Sequence, residues 1–443
     1  MSLKSVSSDI ASFLFVVFSF YADIFALFPA AFRVGLWILT IALQIFSYGF
    51  KIKYEKKVLV VSFLMLCFVF IRNNEFINGG FMGTARFLFP FLFLLLMIHN
   101  APSYKKLIRY MAAVGMTHVA GTYMFFFIPS LYSYMRQLWG YYPTGTSSGT
   151  YGYRAGFTNH YSHNGVVLVV TVLCFFAVLM ASNQKTNFKK KLSVILFVVA
   201  LFALIMTSKR AVLIFGAISM IAVFYMFGSK KKRSRFTLLL LGGIGVFIVL
   251  FFAYQYIPVV QHTVSRFLTI GDDKESMSRY EFWEVALSNF AQHPVFGIGW
   301  LGFRYIYHDE LFKSSGRAER YSYMNAHNVY VQLLCETGIV GTALFIIVAV
   351  FLLFTVFKLI RYCNKSGYKS PYIRELYFSC AMQIMFLMYC FTGNCLYDIT
   401  FPFYAIAAMF TLGCNLKYKK MMGSTTVKKP FALKTGKFLN RFS

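Results

Sequence analysis

The chain has 443 residues, of which 58% are hydrophobic, 20% aromatic and 13% charged. Lys and Arg number 44 against 15 Asp and Glu, a formal charge of +29. So apolar a chain is not a soluble enzyme, and its repeated runs of about 20 apolar residues mark a polytopic, all-α integral membrane protein.

About twelve spans are expected, at 9–28, 31–50, 58–71, 81–98, 107–129, 163–182, 192–207, 211–228, 236–257, 327–357, 373–392 and 400–416. The first is followed at once by another and reads as a retained helix, not a cleaved signal. With the N-terminus inside, the inner loops carry Lys51–Lys57, Lys105–Arg109, Lys185–Lys191, Lys230–Arg235 and Lys358–Arg374. The 417–443 tail is basic too. Every inner loop then obeys the positive-inside rule, so most of the charge is topological and meets anionic lipid, not nucleic acid. The eight cysteines lie mostly inside apolar spans with no Cys-x-x-Cys pair, and read as small core side chains, not as metal ligands.

Cations on the outer side carry more information, because charge at membrane depth is expensive and tends to be functional. Lys209 and Arg210 occupy a very short outer turn between two spans. Arg154 lies in a first outer loop, 130–162, rich in Gly, Tyr and Ser. The second outer loop, 258–326, holds over half of the acidic residues and reads as a folded extracytoplasmic subdomain between helices 1–257 and 327–416. Within it, Ser278-Arg279-Tyr280-Glu281 looks like a capping box that opens a helix. Tyr280, Trp283, Leu287 and Phe290 would form its apolar face. His293-Pro294 stops this helix, and Gly297–Gly302 predicts a flexible turn. Arg279 in the first helical turn would suit a phosphate. Arg304 faces outward from the same loop.

The subdomain leads into Ala326-His327-Asn328, the polar head of a long apolar span. As one helix, His327, Val331, Leu334, Gly338 and Gly341 form a stripe whose glycines admit a neighbouring helix. Glu336 lies deeper and on another face, so it is no evident partner for His327. One His among several cations, without paired carboxylates, does not suit a glycosidase. It suits transfer from a diphosphate: the imidazole takes a proton from an attacking hydroxyl and the cations hold the leaving group. No metal is required, since the arginines supply the positive charge, and no P-loop or dinucleotide fingerprint is present. A donor used outside the cell must arrive on a lipid.

His327-Asn328, nine residues, Gly338, two residues and Gly341-Thr342 resemble the signature of the bacterial O-antigen ligase and O-antigen polymerase family. The Arg279…Trp283…Pro294…Gly297-x-Gly299 run also resembles the segment before that signature. The resemblance implies a glycosyltransferase C-type architecture, with its active site at the outer face of the cytoplasmic membrane. It implies no cofactor and an undecaprenyl-diphosphate-linked glycan donor. It assigns His327 as general base and Arg210 and Arg279, with Lys209 beside them, to the diphosphate. Arg154, Asn328 and Arg304 complete the candidate substrate-binding set. The acceptor would be a lipid-linked repeat unit for a polymerase or lipid A core for a ligase. We expect the polymerase, working with a chain-length regulator and a flippase. A flippase would itself place charges along a central cavity rather than in an outer acidic loop.

Overall fold

The computed structural model describes residues 3–49, 56–99, 101–138, 149–181, 188–228, 251–268, 274–307, 324–365 and 370–424, with single residues at 234, 237 and 241. Among them the structure is helical, with one isolated bridge pairing Asn73 with Trp300. The N-terminal half contains α1 (Leu3–Phe20), α2 (Ala22–Phe25), α3 (Ala30–Tyr48), α4 (Lys56–Ile71), α5 (Asn74–Ile77) and α6 (Met82–Met97). It continues with α7 (Ala101–Phe127), α8 (Pro129–Leu138), α9 (Tyr161–Ala181), α10 (Phe188–Met206) and α11 (Arg210–Phe227). After these come α12 (Pro258–Leu268), α13 (Lys274–Gln292), α14 (Val329–Lys365), α15 (Ile373–Tyr389) and α16 (Phe401–Ser424).

Eleven of the expected spans coincide with these helices. The twelfth, 236–257, lies mostly outside the described residues, as do 425–443 of the tail, Arg317, Arg320 and five of the loop's acidic residues. By length and apolarity, α1, α3, α9, α11 and α14 can each cross a bilayer among the described residues. The pair α7 and α8, bent by 112° at Ile128, can form a sixth span.

Burial shows which helices are central. α9 buries Asn164 through Phe175 on every face, and α15 does the same from Glu375 to Gln383. A helix apolar all round sits inside a bundle. α9 packs on α7, α10, α11 and α15, and α15 packs on α11, α14 and α16. By contrast α3 and α10 leave Ile38, Leu39, Phe46, Ile195 and Val198 exposed, faces suited to lipid.

Two features of the outer loop differ from expectation. α13 begins at Lys274, so Ser278 and Arg279 fall inside the helix, past its first turn. Lys, Glu and Met are good helix formers, and they extend the helix beyond the apparent capping box. Its buried face is Phe282 and Ala286, whereas Tyr280 and Leu287 are exposed. Phe282 and Ala286 pack with Ile298, Phe303, Tyr307 and Ala326, and with Cys335 of α14. The subdomain is thus seated on α14 itself.

The second difference is at Gly338. α14 is not one continuous helix: Gly338 has φ 63° and ψ −166°, which breaks it and interrupts the expected stripe. The segment Pro294–Trp300 threads past the break. The Ile298 and Gly299 N–H groups donate to the Cys335 and Glu336 carbonyls at 3.0 and 2.8 Å, and Ile339 N–H donates to Pro294 O at 2.9 Å. On its other side Trp300 N–H donates to Arg72 O at 2.8 Å, and Asn74 N–H to Trp300 O at 3.1 Å. Irregular backbone at this depth is tolerated because protein, not lipid, satisfies it. A Cβ on Gly338 would lie 2.3 Å from Val295 O, and one on Gly299 would lie 2.4 Å from Arg72 O. Gly338 and Gly299 admit this crossing backbone, whereas a Cβ on Gly341 would meet Phe68 of α4 at 3.3 Å, as the expected helix packing requires, and the expected flexible turn is a fixed one.

Candidate active site

His327 sits one residue before the Asn328 cap of α14. The Asn328 side-chain oxygen accepts the Tyr330 and Val331 N–H groups at 3.1 and 3.2 Å, which closes the first helical turn. His327 itself has φ 54°, a left-handed backbone that a non-glycine residue adopts only when its surroundings hold it. The restraints are plain. Asn394, between α15 and α16, accepts the His327 N–H at 3.0 Å, and Val329 N–H donates to Cys390 O at 2.8 Å. Phe282 stacks on the imidazole at 5.9 Å, and Trp283 Nε1 donates to Ala326 O at 2.9 Å. Since Asn394 Oδ1 is committed to that backbone, its amide nitrogen faces His327 Nδ1, at 3.4 Å. An amide nitrogen can only donate, so this contact suits the neutral tautomer whose lone pair is on Nδ1.

Beneath this turn runs a buried polar chain. Arg304 Nε donates to Asn325 Oδ1 at 2.8 Å, and Gln332 Nε2 bridges Asn325 and Glu336 at 3.2 and 2.9 Å. Tyr397 donates to the other Glu336 oxygen at 2.7 Å. Glu336 is therefore held by Gln332 and Tyr397, and Arg304 by Asn325.

The Lys209 turn is held equally firmly. Ser208 has φ 54° and its hydroxyl lies 2.9 Å from that of Thr263 on α12. From the first outer loop, the fully buried Arg154 donates Nε to Thr207 O at 3.0 Å and lies over the Tyr161 ring at 4.6 Å. Lys209 Nζ stands 5.5 Å from the centre of the same ring.

A cavity of about 290 Å³ opens between these turns. Lys209, Arg304, Asn325, His327 and Asn394 line it, and so do Asp23, Trp37, Arg86, His163, Tyr397 and Asp398. Among the expected site residues, His327, Lys209 and Arg304 share this cavity. Arg279 does not line it, but its charge reaches the His327 ring. Arg210 begins α11 next to Lys209 and is not in the lining. Arg154 and Asn328 brace the two turns. Burial, followed by the positive charges of Arg279 and Lys209, pushes the His327 imidazole down to about 3.

Residues 195–346 match the O-antigen ligase family. The matched stretch begins in α10 and ends in α14, so it includes the Lys209 turn, α13, the threaded segment, His327 and the Gly338 break. The O-antigen ligase signature at His327 through Thr342 therefore lies within one framework with the cations that precede it. No curated protein matches the chain. Most of the cavity lining comes from outside the O-antigen ligase match, including Asp23, Trp37, Arg86 and His163 before it, and Asn394, Tyr397 and Asp398 after it. None of these seven carries a sequence motif, and Arg86, inside the expected 81–98 span, reads from sequence equally as a functional or a snorkelling side chain. Asp23 stands in a four-residue helix, and only the folded chain shows that it meets His163, 140 positions away.

Proposed function

We propose that the protein is a membrane glycosyltransferase that joins undecaprenyl-diphosphate-linked oligosaccharide units at the outer face of the cytoplasmic membrane. The reading rests on one arrangement: His327, in a constrained turn, shares a cavity with Lys209 and Arg304 under the charge of Arg279. The acceptor hydroxyl oxygen attacks the anomeric carbon of the donor, and the bond from that carbon to the phosphate oxygen breaks with its electron pair. The anomeric centre inverts. The diphosphate departs on the lipid, with the cations neutralising the charge that develops on it.

The hydroxyl proton goes to Nδ1 of His327. The Asn394 amide marks that nitrogen, and a 3.4 Å contact is loose enough for a substrate hydroxyl to replace it. The unloaded imidazole is a weak base because burial, and after it the charges of Arg279 and Lys209, disfavour its protonation. A bound diphosphate offsets both charges and raises the basicity of the ring, so the base is switched on by the donor. An apolar groove of about 290 Å³, lined by Met65, Phe91, Leu95, Phe351, Tyr404 and Met409, shares the walls α6 and α16 with the cavity. Phe87 and Phe401 at its edge are close in sequence to Pro90 and Pro402 of the polar site, so it can hold the lipid tail.

The test is a purified protein given lipid-diphosphate-linked repeat units without metal or nucleotide sugar. Longer lipid-linked chains are expected, and transfer to lipid A core alone would select the ligase reading. His327→Gln keeps a polar side chain but no base, and should lower the rate by about 10²–10⁴-fold. A near-normal rate in that variant would remove His327 from the chemistry.

A further inference from the structure

The polar cavity has two walls of unlike chemistry. Lys209 and Arg304 form a cationic one, with the neutral His327 ring beside them, within the matched region. The other comes from the N-terminal third and α9, and is built around a carboxylate. Asp23 accepts His163 Nδ1 at 2.8 and 3.0 Å and Asn159 N–H at 2.9 Å. Burial works against the Asp23 carboxylate, but the His163 contact and the Arg86 charge hold it below its ordinary range. Arg86 is exposed to the cavity, and Trp37 stacks on Phe89 at 5.2 Å and 13°, both rings lining it. Asp398 adds a second carboxylate.

We propose that Asp23, His163, Arg86 and Trp37 form the binding subsite for the acceptor glycan. This rests on the glycan-transfer reading above. An anionic diphosphate beside Asp23 and Asp398 meets like charge, so it is driven to the cationic wall. An uncharged sugar has no such preference and needs donors, acceptors and a flat apolar surface together. The second wall supplies all three. Arg86 donates to sugar oxygens, and the Trp37 ring receives the apolar face of a pyranose. His163 is held to the Asp23 carboxylate through Nδ1, which favours the imidazolium, so its other ring N–H is a donor for a sugar oxygen, while the Asp398 carboxylate supplies the acceptor. Among the described residues no three His, Cys, Asp or Glu side chains converge as metal ligands, so the cluster is not better explained as a metal site. Acceptor choice would then be set by residues outside the matched region, while that region handles the donor.

The experiment uses the full chain in lipid nanodiscs. Its probe is the repeat-unit oligosaccharide released from the lipid by mild acid, free of phosphate. Saturable quenching of tryptophan fluorescence is expected and should be lost in Trp37→Phe. Arg86→Gln and His163→Gln should each raise the half-saturating oligosaccharide concentration about ten-fold or more, in binding and as acceptor KM. Donor KM and kcat should stay within about two-fold, and the unfolding temperature of Arg86→Gln should be unchanged. Arg86→Gln leaves the Asp23 anchor to α9 intact, so it remains informative if His163→Gln folds poorly. Unchanged acceptor dependence in Arg86→Gln would overturn the subsite, as would equal losses in donor and acceptor constants. Saturable, Trp37-dependent binding without any transfer would refute the glycosyltransferase reading and leave the subsite standing. Absence of both overturns both.

Discussion

Replacing Gly338 by Ala tests whether the break in α14 holds the outer subdomain in place. The new Cβ would meet Val295 O at 2.3 Å and Phe296 N at 2.6 Å, both backbone atoms that cannot rotate away. The backbone at φ 63° and ψ −166° is one that an L side chain resists. Strain of this kind costs about 1–3 kcal/mol, and forcing an extra methyl into a packed site costs about 1–3 more. The expected loss is therefore roughly 2–6 kcal/mol, or relief of it by expulsion of the Pro294–Trp300 segment. Gly35→Ala is the control: its Cβ meets nothing within 4 Å, and in the α3 helix it should be neutral or slightly stabilising. Thermal unfolding of the purified protein in nanodiscs, followed by intrinsic fluorescence, reads both. Arg304 follows the segment directly, so Gly338→Ala should also lower glycan transfer even where the protein survives purification. If Gly338→Ala unfolds within the error of Gly35→Ala, the break does not depend on glycine and the fixed-turn account fails.

Further outcomes follow from the same geometry. Tyr397→Phe removes a donor from the buried Glu336 carboxylate and should cost about 1–3 kcal/mol, read as a lowered melting temperature. His327 and His160 are both held at about 3 in the folded protein, below the ordinary value of 6.5. The unfolded chain therefore binds protons first as pH falls. Their stabilising effect is complete above about 6.5 and declines toward about 3, by roughly 1.4 kcal/mol per pH unit for each ring. The decline between pH 6.5 and 5 should be shallower in His327→Gln, and an unchanged slope would refute the burial argument. Asn394→Ala removes both the acceptor of the His327 N–H and the amide that faces its Nδ1, so it should cut transfer, and an unchanged rate would refute that restraint. For topology, in a background without native cysteines, Glu275→Cys should react with an impermeant reagent in spheroplasts while Lys232→Cys stays protected. The reverse pattern would overturn the outward placement of the site.

Apolar length and basic loops made the helices legible, since both are local properties of a sequence. The spacing from His327 to Thr342 marked the motif, and two helices flanking a short turn marked Lys209. Local pattern failed where backbone from one place seats against backbone from another. Gly338 and Gly341 look like a helix-packing stripe, yet Gly338 serves a crossing segment whose sequence shows only two glycines and a proline. Ser278 has the letters of a helix cap, but Lys274 through Met277 are themselves helical, and tertiary packing chooses Phe282 over Tyr280. Asp23, His163 and Asn394 carry no motif, because each matters through a partner far away in the chain.

The threaded segment also bears on the order of assembly. Asn74 and Ile298 are 224 residues apart, whereas Cys335 follows Ile298 closely in the chain. Loop closure grows logarithmically with separation, so joining the segment to α4 costs roughly 1–2 kcal/mol more in chain entropy than joining it to α14. The short-range pairing with α14 is thus favoured to form first, as a late hairpin-like unit carrying His327. Only when that unit docks against Arg72–Asn74 do the early helices acquire their second face. The cavity is completed last, so truncated or stalled chains would display its cations without enclosing them.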